Sequence, residues 1–346
     1  MVQMLKFVPL VLLLLLSGCS PDESNHVVRL SGKTMGTAYH VVAVDVPAGV
    51  SAEMLKDDVE SVLKRVNSKL SNWDKQSEVS RFNASTQLDP IPVSQSFLDV
   101  MIAADEVHAK SDGKFDVTLG PLVELWGFGP RTPEVPVPSD AEISSALGFV
   151  GQAEKLHVDP KTSTLSKTAS EVGVNLSAIA KGFGIDAVAS ELRTHKIENY
   201  MVEIGGDLVT HGHNDKNEAW RIGIETPEVD SQSIELVVAL ENRGLATSGD
   251  YRNFFEQDGV RYSHVIDPTT GRPITHWTTS VSVLADNAMI ADAWATAMLV
   301  LGVERGLEIA EEEGLAVYFI SRVGGDQPNL YATKMSSAFE KLLEAQ

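Results

Sequence analysis

The sequence predicts an α+β fold in which mixed or antiparallel sheets pack against helices. Extended segments outnumber clean strand–helix–strand alternations, and several other segments repeat their apolar residues at helical spacing. The 346 residues include a single cysteine, so no disulfide pair within the chain can stabilise the fold. A core must do so instead, and a hydrophobic content of 43% is enough to build one.

The first residues are typical of a segment that targets the chain to a membrane. Lys6 precedes an apolar run from 7 to 16, which is shorter than the about 20 residues that a membrane-spanning helix needs and is typical of a signal-peptide core. Leu16-Ser17-Gly18-Cys19 resembles a bacterial lipobox, in which Cys19 is lipidated; the alternative is a plain secretion signal with a chance cysteine. We expect a signal peptide at 1–18, a lipidated tether at 19–26 and one folded domain at 27–346.

The charge of the remaining chain argues against a role in nucleic-acid binding. Lys6 is the only charged residue of 1–18, so the rest holds 27 basic and 48 acidic residues, a net charge of −21. A surface of that sign repels phosphate backbones. No second apolar run approaches the length of a membrane-spanning helix.

The elements of the first half follow from their residue patterns. Strands are predicted at 27–30 and 37–44, on either side of a glycine-containing turn. Apolar residues recur at helical spacing in 52–70, and Ser51 can cap that helix. The prolines between 129 and 140 predict a surface loop. The other elements predicted in this half are helices at 95–110 and 140–147 and a strand at 155–158.

The second half alternates strands with long helices. The segment 287–301 is apolar nearly all round, which predicts a buried helix. The strands are predicted at 172–176, 199–205, 219–225, 234–240, 260–267, 278–284 and 315–320, and the remaining helices at 178–193, at 303–313 and from 336 onward.

One segment resembles a dinucleotide-binding motif. Gly182-Phe-Gly184-Ile-Asp-Ala187 fits the pattern G-x-G-x-x-A, and Glu203 follows at the distance of a ribose-binding acid. Five residues, however, separate the preceding predicted strand from Gly182, whereas the motif needs that glycine in the turn itself. We therefore expect both glycines to lie within a helix that packs closely on a neighbour, and we disfavour a nicotinamide dehydrogenase.

A carboxylate and a hydroxyl share one face of the apolar helix. Asp292 and Thr296 are four residues apart, so their side chains are neighbours. Hard oxygen ligands of this kind suit Mg²⁺ or Ca²⁺. The alternative, equally weighted, is that Asp292 pairs with a buried lysine or arginine and Thr296 bonds back to the helix.

Histidines and a tryptophan give weaker indications. His264 precedes a turn and can act as a general acid or base, although a lone histidine in a strand is more often a bystander. Trp73 can stack on an aromatic ligand or cover the core. His211 and His213 form a weak candidate for a transition-metal pair.

Taken in order along the chain, ten segments resemble the FAD:protein FMN transferase family, the ApbE-type flavin transferases. The segments are Gly32-Lys-Thr-Met-Gly-Thr37, Leu70-Ser-Asn-Trp73, Ser80-Arg-Phe-Asn83, Asp112-Gly-Lys-Phe-Asp116-Val-Thr-Leu-Gly-Pro121, Leu125-Trp-Gly-Phe-Gly129, Leu176-Ser-Ala-Ile-Ala-Lys-Gly182, Ile204-Gly-Gly-Asp207, Thr247-Ser-Gly-Asp-Tyr251, Ser263-His-Val-Ile-Asp-Pro268 and Asp292-Ala-Trp-Ala-Thr296. The resemblance implies a T-fold-like architecture and makes 27–346 a flavin transferase catalytic domain.

The resemblance also implies a role for each matching residue. A divalent metal would be bound by Asp292, Thr296 and the backbone carbonyl of Ala178, and His264 would be the acid–base residue. Asn175 and Ala295 stand where some relatives carry an acid. The residues implied for the FAD site are Met35, Trp73, Lys114, Phe115, Asp116, Asn175, Lys181 and Ile266.

The implied reaction moves the FMN part of FAD onto a threonine hydroxyl of an acceptor protein and releases AMP. Mg²⁺ is the implied cofactor, and the implied acceptors are subunits of membrane redox complexes. With the lipid anchor, this places the chain on the periplasmic side of a bacterial membrane, inner or outer. The alternatives are a metal-dependent FAD pyrophosphatase and a flavin-binding lipoprotein without catalysis.

Overall fold

The computed structural model describes residues 26–129, 137–228, 233–251, 253–324 and 330–346. The predicted signal peptide, Cys19 and nearly all of the predicted tether lie outside these residues, as does most of the predicted loop at 129–140. Within the described ranges, no helix is both long enough and apolar enough to cross a membrane.

Nine helices and seventeen strands make up the described parts of the chain. The helices are α1 (Ala52–Leu70), α2 (Glu78–Ala84), α3 (Gln95–Lys110), α4 (Gly120–Leu125), α5 (Asp140–Leu147), α6 (Gln152–Lys155), α7 (Ala180–Thr194), α8 (Ala288–Glu313) and α9 (Ser337–Glu344). The strands are β1 (Val28–Thr34), β2 (Thr37–Val44), β3 (Ile91–Pro92), β4 (Leu156–Asp159), β5 (Thr164–Lys167), β6 (Asn199–Ile204), β7 (Asp207–His211), β8 (Trp220–Glu225), β9 (Ile234–Leu240), β10 (Gly244–Gly249), β11 (Phe254–Gln257), β12 (Val260–Ser263), β13 (Ile266–Asp267), β14 (Arg272–Pro273), β15 (Thr278–Ala285), β16 (Ala316–Arg322) and β17 (Tyr331–Met335).

An eight-stranded sheet forms the centre of the fold, in the order β1-β2-β6-β7-β10-β15-β16-β17. Each neighbouring pair in it is antiparallel. Two short hairpins, β11–β12 and β13–β14, lie outside this sheet together with the pair β8–β9 and the three strands β3-β5-β4. The α+β prediction with antiparallel sheets is confirmed.

Both faces of the central sheet are covered. The larger core packs α1, α3, α7 and α8 on one face, and a smaller core under α9 and the pair β8–β9 covers part of the other. In β15 every residue is buried, with Val283 in the larger core and Leu284 in the smaller one. The serines that alternate with Val281 and Val283 in this strand are buried too, because the strand is covered on both faces.

Helices α7 and α8 pack closely where Gly182 meets the first turn of α8. A Cβ atom at Gly182 would overlap the carbonyl oxygen of Ala288 and lie 2.5 Å from the Cα of Met289. Gly184 lies in the same helix, where a Cβ atom would lie 2.7 Å from Cε of Met35. The prediction that these glycines lie inside a packed helix is confirmed, and a dinucleotide-binding turn is excluded.

Helix α8 is broken at Gly302, whose φ of 74° and ψ of 172° are not helical. The break separates the two helices that the sequence predicts at 287–301 and 303–313. Side chains from outside the helix take up the backbone groups at the break: the Nε2 of His276 lies 3.3 Å from the carbonyl oxygen of Val300, and Thr278 Oγ1 accepts from the Val303 N–H at 3.0 Å.

The strand predicted at 172–176 is wrong. This segment is extended, but two asparagine side chains satisfy its backbone in place of a neighbouring strand. Asn83 accepts from the Val174 N–H at 2.7 Å and donates to the Val174 carbonyl at 2.8 Å. Asn72 donates to the same carbonyl at 2.7 Å and accepts from the Leu176 N–H at 2.8 Å. A pattern of alternating apolar residues does not show whether the backbone bonds to another strand or to side chains.

Candidate active site

A cleft of about 480 Å³ opens beside the N-terminal end of α7 and the first turns of α8. A second cavity of about 200 Å³ adjoins it and shares Trp73, Ser177 and Lys181 with it. Met35 lines the second cavity. The other site residues from the sequence analysis, Cys19 apart, all line the first: Trp73, Lys114, Phe115, Asp116, Asn175, Ala178, Lys181, His264, Ile266, Asp292 and Thr296.

Asp292 is a buried carboxylate held between two donors of α7. Its Oδ2 accepts from the Gly182 N–H at 3.0 Å, and its Oδ1 lies 3.7 Å from the Lys181 Nζ. Burial raises the pKa of Asp292 to about 6; Lys181 opposes that rise, and the nearby Asp207 adds to it. Asp292 does face a cation, as one alternative supposed, but the Lys181 side chain is only partly buried and has a closer partner.

That closer partner is Asp207, which the sequence analysis did not assign to the site. The Lys181 Nζ forms a short hydrogen-bonded ion pair with Asp207, whose side chain is buried. Asp207 Oδ1 also accepts from the Thr247 N–H at 3.1 Å. Burial works against the charge of Lys181, yet Asp292 and Asp207 together raise the pKa of Lys181 above its ordinary value. The sequence signal for this pair was a lysine among the apolar residues and glycines of 180–185, which needs a carboxylate.

Oxygen atoms of three kinds line the same cleft as part of Asp292, Thr296, Ser248 and Ala178. Thr296 Oγ1 lies 3.1 Å from Ser248 Oγ, and both residues line the cleft. The Gly182 N–H, which at helical spacing would reach the carbonyl of Ala178, donates to Asp292 instead. Among the described residues no hydrogen-bond donor reaches the Ala178 carbonyl. A carboxylate, two hydroxyls and a free carbonyl form a donor set that suits a hard divalent cation.

The loop from 114 to 116 carries two charged side chains that line the cleft, Lys114 and Asp116. Lys114 Nζ donates to Asp267 Oδ1 and to Thr269 Oγ1, each at 2.8 Å. The carboxylate of Asp116 accepts from the backbone N–H of Thr118 at 2.7 Å and from that of Gln152 at 2.9 Å. Asp116 therefore lines the cleft and also fixes the conformation of this loop.

His264 lies between β12 and β13, so the extended segment predicted at 260–267 is interrupted there. Its Nδ1 is 2.9 Å from the backbone carbonyl of Asn253. A carbonyl can only accept a hydrogen bond, so Nδ1 carries the proton and Nε2 keeps its lone pair. Burial lowers the pKa of His264. The residue is therefore a neutral imidazole with a free acceptor nitrogen, the form that a general base needs.

Trp73, Asn175 and Ile266 complete the walls of the cleft. Trp73 is 67% exposed, so it does not cover the core and its ring is available to stack on a ligand. Ile266 is buried in a small third core with Trp126. His211 and His213 do not line the cleft, and among the described residues neither belongs to a group of three side chains that could hold a metal ion. The ring of His211 stacks on Tyr200 instead.

The sequence of this chain matches that of known flavin transferases. The ApbE family model matches residues 35–319. The FAD:protein FMN transferase of Vibrio cholerae is 45% identical over 313 residues, 90% of this chain and 92% of that protein. Its namesake in Haemophilus influenzae is 43% identical over 334 residues, 95% of each chain.

Solved structures agree with these matches. The flavin transferase ApbE from Vibrio cholerae superposes with a TM-score of 0.83 at 42% identity, covering 92% of this chain and 99% of that one. The apo form of Pseudomonas stutzeri flavinyl transferase ApbE gives 0.84 at 37% identity, covering 93% and 98%. This chain belongs to the ApbE family.

Proposed function

We propose that this chain is an FAD:protein FMN transferase that moves the FMN part of FAD onto a threonine hydroxyl of an acceptor protein and releases AMP. The observation that carries the proposal is the composition of one cleft. It holds an exposed aromatic ring, two lysines, a cluster of oxygen donors and a neutral histidine. Its volume of about 480 Å³ lies within the range of cofactor-sized pockets.

Two cationic groups in the cleft suit the pyrophosphate of FAD. Lys114 and Lys181 both line it, and each is paired with a carboxylate that fixes its position. Charge-assisted contacts of this kind are stronger than neutral hydrogen bonds. Trp73 at the rim, shared with the adjoining cavity that holds Met35, can stack on one of the two aromatic ends of FAD.

The donors around Asp292 suit a divalent cation such as Mg²⁺. It would be held by Asp292, Thr296 and the carbonyl of Ala178. Ser248 adds a hydroxyl oxygen, whereas the side chain of Ala295 is fully buried in the core and has no oxygen. When bound, such a cation neutralises charge on the pyrophosphate oxygens and on the departing AMP. Lys181 stays paired with Asp207 and supports the same charge from the protein side.

His264 is the residue placed to accept the proton of the incoming hydroxyl. Its Nε2 has a free lone pair because the carbonyl of Asn253 holds Nδ1 in the protonated state. In the transfer, the threonine oxygen bonds to the phosphorus that carries FMN, the bond from that phosphorus to AMP breaks, and the threonine proton passes to Nε2. AMP leaves with the electron pair of the broken bond, so atoms and charges balance.

The same proposal includes the location and the partners of the chain. Cys19, lipidated in a lipobox, would anchor the enzyme on the periplasmic side of a bacterial membrane. Threonine-containing subunits of membrane redox complexes would be the acceptors. An anchored enzyme and an acceptor in a membrane meet along a surface rather than in free solution.

A single incubation tests the reaction. The purified protein is mixed with FAD, Mg²⁺ and a threonine-containing acceptor, and covalent flavin is detected by in-gel fluorescence while AMP is measured. We expect a fluorescent acceptor and AMP in equal amounts. Free FMN with AMP and no labelled acceptor would identify an FAD pyrophosphatase instead, and unchanged FAD would identify a flavin-binding protein without catalysis.

A further inference from the structure

We propose that Asp186, on α7, is a positioning residue for the cation site, because it holds the first turn of α8 and so sets where Asp292 and Thr296 lie. The inference rests on the cation site assigned under the proposed function. Asp186 does not line the cleft, and none of the sequence motifs assigns it a role. Any effect that it has on the site must pass through α8.

The carboxylate of Asp186 binds two backbone amides at the start of α8. Its Oδ1 accepts from the Ala288 N–H at 3.0 Å and its Oδ2 from the Met289 N–H at 2.9 Å. These are two of the N–H groups that an α-helix leaves without an acceptor of its own. Asn287, the cap residue of α8, takes a third, the Ile290 N–H at 2.9 Å. The first turn of α8 is therefore held both by its own cap and by α7.

The two helices hold each other reciprocally. While Asp186 of α7 binds the first turn of α8, Asp292 of α8 binds the Gly182 N–H in the first turn of α7. Gly182 and Asp186 lie one turn apart on α7, and Ala288 lies one turn before Asp292 on α8. Each helix thus supplies a carboxylate to the start of the other.

This exchange fixes both the spacing and the rotation of α8. The backbones already touch at Gly182, where a Cβ atom has no room, so α8 cannot move closer. The two bonds from Asp186 prevent it from moving away or turning about its axis. A bidentate carboxylate does this better than one hydroxyl or amide cap, because it ties two successive N–H groups to one rigid plane. Burial works against keeping this charge, and it raises the pKa of Asp186 to about 6.

Cation affinity in matched variants tests the proposal. Purified Asp186→Ala, Asp186→Asn and Asn287→Ala proteins are titrated with Mn²⁺ as the probe, with free Mn²⁺ followed by electron paramagnetic resonance, and thermal unfolding is recorded for each. Loss of a residue that orients metal ligands typically weakens binding about 10–100-fold, and we expect that rise in Kd for Asp186→Ala. Asp186→Asn keeps one acceptor oxygen, so it should lie between Asp186→Ala and the wild type.

Asn287→Ala is the control for mere helix capping. It removes a cap from the same turn of α8 but leaves the bond to α7, so it should lower the melting temperature and keep the wild-type Kd. Equal Kd values for Asp186→Ala and wild type, or an equal rise in Asn287→Ala, would overturn the positioning role. If Asp186→Ala does not fold, Asp186→Asn carries the same comparison. A wild-type protein that binds no Mn²⁺ overturns the cation site itself, and the role of Asp186 with it.

Discussion

Asp292 has to be charged to bind a cation, in surroundings that favour its neutral form. Burial raises the pKa of this carboxyl to about 6, and Asp207 adds to the rise. The donors that offset it, Gly182 and Lys181, both come from α7. A cation entering the cleft competes with a proton for the same oxygen atoms.

This competition predicts a pH dependence of cation binding. Because the pKa of Asp292 is raised to about 6 in the metal-free protein, affinity should be full above that pH and fall as the pH drops through it. The slope approaches about tenfold per pH unit, since one proton is displaced for each cation bound. Titration with Mn²⁺ across this range measures it. An affinity that stayed constant well below pH 6 would show that Asp292 is not a ligand.

Asp292→Asn should abolish cation binding and leave the free energy of unfolding unchanged or higher. Lys181 keeps its closer partner Asp207, so removing the charge of Asp292 leaves no cation unpaired. Asp207→Asn is the matched control: it removes the partner that Lys181 contacts most closely. Breaking a fully buried pair costs about 3–5 kcal/mol, and the cost here should be smaller because the Lys181 side chain is 30% exposed and Asp292 stays 3.7 Å away. Chemical denaturation of both variants measures the difference. The assignment fails if Asp292→Asn is the less stable of the two.

His264→Ala should bind FAD and Mn²⁺ as the wild type does but transfer FMN about 10²–10⁴-fold more slowly, the usual loss for a general acid or base. The reason is that Nε2 carries the free lone pair while Nδ1 only holds the ring in place. FAD binding by fluorescence quenching and labelling of the acceptor separate the two effects. Transfer at the wild-type rate would remove His264 from the mechanism, and loss of FAD binding would make it a positioning residue.

Among the elements, α8 depends most on a single glycine. At Gly302 the backbone adopts φ 74° and ψ 172°, a conformation that is nearly confined to glycine. A Cβ atom there would also lie 3.0 Å from the His276 ring. The break ends the buried half of the helix just after Val300, which lines the cleft. The geometry of this turn therefore affects both stability and the site.

Gly302→Ala should lower the free energy of unfolding by more than the about 1–3 kcal/mol that such a backbone conformation costs by itself, because the His276 ring must also move. Gly314, the C-cap of the same helix, is the control: its φ of 67° is also positive, but a Cβ atom there meets nothing within 4 Å. Gly314→Ala should therefore cost less. Urea denaturation measures the free energy of unfolding of both variants. Equal losses would show that the contact with the His276 ring adds nothing to the cost.

The sequence predicted elements best where one physical signal dominated. The helix α1 was predicted with its observed ends because its apolar spacing and its cap at Ser51 agree. The strand predicted at 172–176 failed because Asn72 and Asn83, about ninety to a hundred residues earlier, supply its hydrogen bonds. The pattern of residues within 172–176 cannot predict partners so far away in the sequence. The elements that the sequence did not predict are short, and a few residues hardly show a period; they are α2, α4, α6, β3, β5, β7, β10, β11, β14 and β17.

At the scale of the whole molecule, the residues of the cleft could be named from family motifs but their contacts could not. Ionic partners such as Asp207 for Lys181 lie on different elements, and only the folded chain brings them together. Asp116 is a second example: the motif assigns it to the FAD site and it does line the cleft, but its bonds to Thr118 and Gln152 could not be predicted from the sequence. The motifs predicted which residues reach the cleft, and the folded chain shows which contacts their side chains make.

Cys19→Ala should release the mature protein from membranes while transfer activity in solution stays unchanged. Cys19 precedes the described residues, and β1, the first described strand, begins at Val28 on one edge of the central sheet. Membrane fractionation and an assay with a soluble acceptor measure the two effects. A variant that stayed in the membrane fraction would contradict the lipobox interpretation.

The cleft draws its walls from residues as far apart in the sequence as Trp73 and Val300. No shorter piece of the chain contains enough of it to bind FAD, so the site comes into existence only when the central sheet and its helices are complete. If the chain is exported unfolded, as the proposed lipid anchor implies, it arrives without its substrate. The compartment in which it folds would then have to supply FAD from its own pool, and the concentration of free FAD there would set how much flavin reaches the acceptors.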